Sequence, residues 1–228
     1  MFTLGCWVDL ILAFRKTKSF LKNIILSPTG SSIAVDLGAG CGFQSIPLAQ
    51  IGFSVTAVDL NQKLLNELQE NLGSVDVKTI QDDLINFEQY LDDKPELIVC
   101  MTDTIVHLDS PKKVISLFEK VLTSLEDQGK FILTFRDLAE ELLELDRFIP
   151  LKSDNNTIFT CFLEYEPHTV KVHDLVYYRD DNSWQLNKSY YRKLRLSQQW
   201  VEDRLKNAGF DQIELHNNRG LVTAIATK

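Results

Sequence analysis

The amino-acid sequence predicts an α/β protein, a doubly wound and mostly parallel sheet with an antiparallel β meander inserted late in the chain. Three observations carry that expectation. From Ser32 onward, short apolar runs alternate with helix-like stretches, the pattern of βα units whose strands pair in parallel. A glycine-rich stretch, Asp36-Leu37-Gly38-Ala39-Gly40-Cys41-Gly42, joins the first such strand to the first helix. After Phe135 the rhythm changes to longer runs separated by turn sequences, as in strands joined by hairpins.

Taken in order, Ile33 to Leu37 is an apolar run broken by one acid, suited to a strand buried on both faces. Phe43 to Ile51 reads as a helix, with Pro47 tolerable only in the first turn. Val55 to Val58 is a second strand, and Asn61 caps a helix whose Leu64, Leu65 and Leu68 share a face. Val75 to Ile80 and Leu97 to Met101 are the third and fourth strands. Ser110-Pro111 opens the next helix, and Phe131 to Phe135 is the fifth strand. Ile158 to Tyr165, Thr169 to Tyr178 and Trp184 to Arg195 make a three-stranded meander, turned by Glu166-Pro167-His168 and Asp180-Asp181-Asn182-Ser183. Ser197 caps a last helix that Gly209 ends. Ile213 to Leu215 and Leu221 to Ala226 form a closing hairpin. No repeat or low-complexity linker interrupts the chain, so residues 1–228 read as one domain, with an N-terminal helical segment over 1–31 and an insertion over 137–196.

Composition narrows the function. The formal net charge is −8, whereas a nucleic-acid binder usually gathers enough Lys and Arg to neutralise several phosphates. Nucleic acid therefore ranks low as a partner. Cys6, Cys41, Cys100 and Cys161 lie far apart without a CxxC pair, which supports neither a zinc site nor a disulfide framework; no metal and a reducing, cytoplasmic setting are expected. The apolar run from Cys6 to Phe14 precedes its basic residues. It is too short to span a bilayer and reversed for a secretory signal, so no membrane association is expected.

The glycine stretch is a nucleotide-binding turn in kind: the first glycine permits a tight turn and the second lets a ligand approach the backbone. A dinucleotide site would want a third glycine where Phe43 stands, to seat a pyrophosphate on the helix. Asp36 would repel a pyrophosphate and could instead receive a cationic amino group. Asp36 to Gly42 resembles the DxGxGxG motif of class I (Rossmann-like) S-adenosylmethionine-dependent methyltransferases, with every marked position matched. The resemblance implies a seven-stranded sheet with an antiparallel C-terminal strand, S-adenosylmethionine as cofactor, and Asp36, Gly38, Ala39 and Gly40 around its methionine end.

Further stretches extend the resemblance in order. Val55-Thr56-Ala57-Val58-Asp59-Leu60 is similar to the second family motif, which implies that Asp59 takes the ribose hydroxyls with Leu60 beside it. Gln81-Asp82-Asp83-Leu84 is similar to the third, implying that Asp83 and the Leu84 amide meet the adenine; the Asp doublet leaves the register open. Cys100-Met101-Thr102-Asp103-Thr104 ends the fourth strand, where the family floors its cofactor site with residues such as Met101 and Thr102.

Ligands of open parallel sheets bind beyond the carboxyl ends of the strands, so the insertion is placed to act as a substrate lid. His107 is the leading candidate for a base, with a structural histidine as the alternative. Asp103 orients a substrate amine or caps its loop. Arg136 is a candidate for a substrate carboxylate. His173, Tyr177, Tyr190 and Arg192 in the meander are further substrate-binding candidates, with packing as the alternative; which sheet face lines the pocket is left open. The expected function is methyl transfer to a small-molecule acceptor. The alternatives are a protein or RNA methyltransferase, and a non-catalytic module that binds the cofactor. Oligomeric state is not legible.

Overall fold

The computed structural model describes residues 27–181 and 183–228; most of the expected N-terminal helical segment lies outside the described residues. Chain order begins β1 (Ile33–Leu37), α1 (Ser45–Gln50), β2 (Ser54–Asp59), α2 (Gln62–Glu70), β3 (Val77–Gln81), β4 (Leu97–Cys100), α3 (Pro111–Ser124) and β5 (Lys130–Arg136). It continues with β6 (Phe148–Ser153), β7 (Thr157–Tyr165), β8 (Thr169–Asp180), β9 (Ser183–Leu194), α4 (Gln198–Ala208), β10 (Gln212–Asn218) and β11 (Leu221–Thr227). Short 3₁₀ turns cover Leu84–Tyr90, Thr104–His107 and Glu144–Arg147.

Seven strands form one sheet in the order β10-β11-β5-β4-β1-β2-β3. The central pairs are parallel, and β11 runs antiparallel to both β5 and β10. The physical reason is legible in β1, where burial alternates between two cores. Val35 and Leu37 join Phe118, Val121, Phe131, Val201 and Leu205 on one side. Ala34 joins Val55, Ala57, Leu65 and Leu68 on the other. Each such side chain contributes roughly 1.5–3 kcal/mol when fully buried, so a strand clad on both faces is apolar almost throughout, with Asp36 the one acid in β1.

The predicted caps form. Asn61 Oδ1 accepts from the Lys63 amide at 3.0 Å, Ser110 Oγ from that of Lys113 at 3.3 Å, and Ser197 Oγ from that of Trp200 at 3.0 Å. Gly209 closes α4 at φ 109°. Pro47 sits in the first turn of α1, where its missing N–H costs little.

The meander departs from expectation in having four strands, in the order β6-β7-β8-β9. The added strand, β6, contains Pro150, and a proline argues against a central strand. Here β6 is an edge strand, and its register shifts between Pro150 and Lys152, so the proline breaks no ladder on an inner side. Cys161, Leu163, Val170 and Val172 form a small buried core on one face of this sheet.

Candidate active site

The site begins at the carboxyl ends of β1 and β2. The amides of Gly38 and Ala39 both donate to the Val58 carbonyl, at 2.8 and 3.1 Å, folding the loop back over β2. The glycines then divide the labour. A Cβ on Gly38 would lie 2.3 Å from Thr104 Cγ2, so this glycine lets the β4 end pack against the loop. Gly40, at φ 54°, has nothing nearer its would-be Cβ than Leu64 Cδ1 at 4.0 Å. It leaves open space beside a left-handed backbone that L side chains rarely adopt.

Asp36 is buried, and Ser45 Oγ donates to its Oδ2 at 2.5 Å. Its Oδ1 has no partner within the described chain. Burial pushes the carboxyl up to about 7, against the pull of the Ser45 hydrogen bond. A buried carboxylate oxygen without a donor is costly, and a cationic amine is the group that would satisfy it. This orphaned acceptor and the open face of Gly40 fit the amino-acid end of S-adenosylmethionine.

Asp59 closes the loop from β2: its Oδ2 accepts from the Gly40 amide and its Oδ1 from the Asn61 amide, each at 2.8 Å. Each oxygen keeps a second lone pair for a diol. A cavity of about 230 Å³ opens beside it, lined by Gly38, Asp59, Leu60, Asp83, Leu84, Thr104, His107, Leu108, Asp109 and Lys113. Leu60 is 70% exposed, an apolar surface suited to a flat ring. The doublet resolves by hydrogen bonding. Asp82 is held by Tyr90 Oη at 2.6 Å and Asn86 Nδ2 at 3.1 Å, outside the cavity lining. Asp83 faces the cavity, accepts from the Ile85 amide and lies 3.4 Å from Lys113 Nζ.

The carboxyl end of β4 carries the second half of the site. Thr102 and Asp103 take left-handed backbone at φ 55° and 70°, a conformation costing roughly 1–2 kcal/mol per non-glycine residue. Thr134 of β5 fastens this turn, its Oγ1 accepting from the Thr102 amide at 2.7 Å and its carbonyl from the Asp103 amide at 3.1 Å. Asp103 Oδ1 accepts from the Arg136 amide at 2.5 Å, and its Oδ2 from Lys193 Nζ at 2.7 Å. The turn thereby aims the following 3₁₀ segment so that His107 reaches the cavity wall. Tyr191 of β9 covers His107, with ring centroids 5.5 Å apart. Burial and the Lys193 ammonium lower the His107 pKa below the usual imidazole value, while Asp103 pulls it up.

The expected residues thus separate. Asp59, Leu60, Asp83, Leu84, Gly38 and His107 share the cavity; Ala39 and Gly40 continue the loop from Gly38, and Asp36 lies in β1 before it. Met101 is buried at the end of β4 and Thr102 is exposed beside it. Arg136 is exposed at the end of β5.

The four meander candidates lie on the face opposite Tyr191 and Lys193, because side chains alternate along a strand. His173 Nε2 lies 2.8 Å from Glu164 Oε2, and Arg192 forms a two-pronged pair with Glu166. Tyr190 packs against Lys171 and His173, and Tyr177 is exposed. The structure therefore moves the meander's contribution to the other face, to Tyr191 and Lys193. Val170, Val172 and Val176 alternate on that face, but Asp174 interrupts them, so the sequence carries no clean signal for the docked side. Among the described residues, no group of three or more His, Cys, Asp or Glu could hold a metal ion. No helix among them is long and apolar enough to cross a membrane.

Comparison with known proteins agrees with this geometry. Residues 34–129 match the family model described as a methyltransferase domain. A Geobacillus sp. (strain WCH70) protein carrying a methyltransferase name is 22% identical over 82% of this chain and 76% of its own. A glycine/sarcosine N-methyltransferase of Aphanothece halophytica is 26% identical over 58% of this chain and 51% of its own. CalS10, an amino pentose methyltransferase from Micromonospora echinaspora, superposes with a TM-score of 0.78 at 12% identity, covering 94% of this chain and 91% of its own. The loop motif, the sheet order and the matched domain agree: residues 34–129 carry a methyltransferase domain match, on the fold of the class I, Rossmann-like S-adenosylmethionine-dependent methyltransferases.

Proposed function

We propose that this chain methylates an amine nitrogen of a small-molecule acceptor, with residues 137–196 covering the reacting centre. The observation that carries the reading is the position of His107, an imidazole in the wall of the cavity that Asp59 and Asp83 also line, roofed by Tyr191 of the insertion.

Asp59 would hold the ribose hydroxyls, Asp83 and the Leu84 amide the adenine, and Asp36 with Gly40 the methionine end. When bound, S-adenosylmethionine supplies a sulfonium methyl that passes to an acceptor lone pair as the S–C bond breaks toward a neutral thioether. An alkylamine is protonated in neutral water and has no free lone pair. His107 would take that proton, and a base serves best with a pKa near the working pH. Tyr191 and the meander exclude water and align the acceptor, which is most of what such a transfer asks of a protein. The names of the glycine/sarcosine N-methyltransferase and of the amino pentose enzyme support an amine-bearing acceptor of small size.

The test is to incubate the chain with S-adenosylmethionine and a panel of small amines, alcohols and carboxylates, scoring methylated product by mass spectrometry. Turnover on amines, lost in His107→Gln with cofactor affinity kept, is the expected result. Turnover confined to alcohols or carboxylates, to a protein or to RNA would overturn the acceptor class. Cofactor binding without transfer to any acceptor would make the chain a binding module.

A further inference from the structure

Asp103, His107, Tyr191 and Lys193 come from two segments more than eighty residues apart in sequence and meet at the cavity's edge. Lys193 and Asp103 are the least exposed ion pair of the described residues, with side chains 14% and 15% exposed. The Lys193 ammonium also lies 5.7 Å from the centre of the Tyr191 ring, the ring that stacks at a tilt on His107. Arg195 ties parts of the insertion to one another, donating to the Leu138, Ala139 and Glu166 carbonyls at 3.3, 2.6 and 3.0 Å, whereas Lys193 reaches out of it to the turn beside His107.

We infer that Lys193 and Tyr191 are positioning residues for His107: the ammonium keeps the imidazole neutral and the phenol ring fixes its plane, so that a substrate ammonium can deliver its proton. The inference rests on His107 being the base. The physical argument is one of competing charges. Asp103 favours the imidazolium and Lys193 opposes it, and bound to each other they present His107 with a nearly neutral pair. Partial desolvation of the imidazole under the Tyr191 ring then favours the neutral form, in line with the downward direction of its pKa. The remaining ionisable groups around it, among the described residues, are Asp59, Asp83, Asp109 and Lys113 across the cavity, and Asp174 and Cys161 behind Tyr191. Of the four on the cavity side, Lys113 pairs with Asp83 and Asp109 and Asp59 accepts the Gly40 and Asn61 amides; burial raises the thiol of Cys161 to about 12, leaving it uncharged. Lys193 and Asp103 are thus the charges that set His107.

The test uses the unliganded full chain and needs no substrate. The His107 ring protons are followed by NMR against pH, assigned by their loss in His107→Gln. Lys193→Met should move the His107 titration to higher pH, and Lys193→Arg should return it. Asp103→Asn, which leaves the ammonium, should move it to lower pH. With an accepted amine, the acid limb of kcat/KM should shift in the same directions, and Tyr191→Ala should lower kcat more than it changes KM. A merely structural latch predicts lower melting temperatures in Lys193→Met and Asp103→Asn alike, with the titration unmoved; that result would overturn the inference. If Lys193→Met does not fold, Asp103→Asn and Lys193→Arg still give opposed predictions. Failure of amine methylation with the titration shifts intact would fell the proposed function and spare the coupling of Lys193 to His107.

Discussion

Lys193 Nζ donates to Asp103 Oδ2 at 2.7 Å, joining the last residues of the meander to the left-handed turn that ends β4. Both side chains are largely removed from water, where a pair is screened little and breaking it leaves a charge without a partner. A double-mutant cycle with Asp103→Asn and Lys193→Met should give a coupling of about 1–3 kcal/mol in denaturant unfolding. Additive losses would mean that the two residues act independently.

Asp59 accepts amides from both ends of the loop and faces the cavity. Asp59→Ala should weaken S-adenosylmethionine binding by about 1.5–3 kcal/mol for each charged hydrogen bond lost, measured by calorimetry. The variant should also melt earlier, because the Gly40 and Asn61 amides lose their acceptor. Unchanged affinity in the folded variant would remove Asp59 from the cofactor's contacts.

Gly40 and Gly38 should respond differently to substitution. Gly40→Val points a side chain into open space but strains the backbone at φ 54°, so cofactor binding should vanish at a stability cost of about 1–3 kcal/mol. Gly38→Val collides with Thr104 and should destabilise the chain whether or not cofactor is present. Thermal unfolding with and without cofactor separates the two, since a ligand bound only by the native state raises the midpoint.

Asp36 sets a pH dependence whose sign follows from burial. Its carboxyl rises from 3.8 to about 7 on folding, so the folded chain holds this proton more tightly than the unfolded one. The stabilisation is complete below 3.8 and is lost as pH climbs toward 7. Asp36→Asn should flatten stability over that window, by an amount of a few kcal/mol on the scale of roughly 1.4 kcal/mol per unit. A cationic ligand reverses the preference. Cofactor binding below pH 7 should therefore release a proton, read as a calorimetric heat that changes with the buffer's ionisation enthalpy, and Asp36→Asn should abolish the release. Heats independent of buffer would exclude Asp36 as the partner of the amino group.

Most of this fold was legible because its signals are local. Strands buried on both faces must be apolar runs, as in Ile33–Leu37, and caps such as Ser110-Pro111 and Ser197 work within one turn of chain. The glycine loop was legible for the same reason: positive φ and close approach are properties of a few consecutive residues. β6 was not, since Pro150 contradicts a strand unless the strand lies on an edge, and edge status belongs to the sheet.

The sequence by itself determined the α/β alternation, the glycine loop with Asp36 and Asp59, and the insertion of a meander after β5. Only the tertiary structure decided which face of that meander meets the site. Alternation divides Tyr190 from Tyr191 and Arg192 from Lys193 with certainty, yet it ranks neither set, because both faces carry aromatic and basic residues. The choice is made by packing: Val170 and Val172 are buried in the insertion's own small core on that face. Their burial carries Tyr191 onto His107 and Lys193 onto Asp103, contacts that span 84 and 90 residues of chain and leave no periodic mark in it.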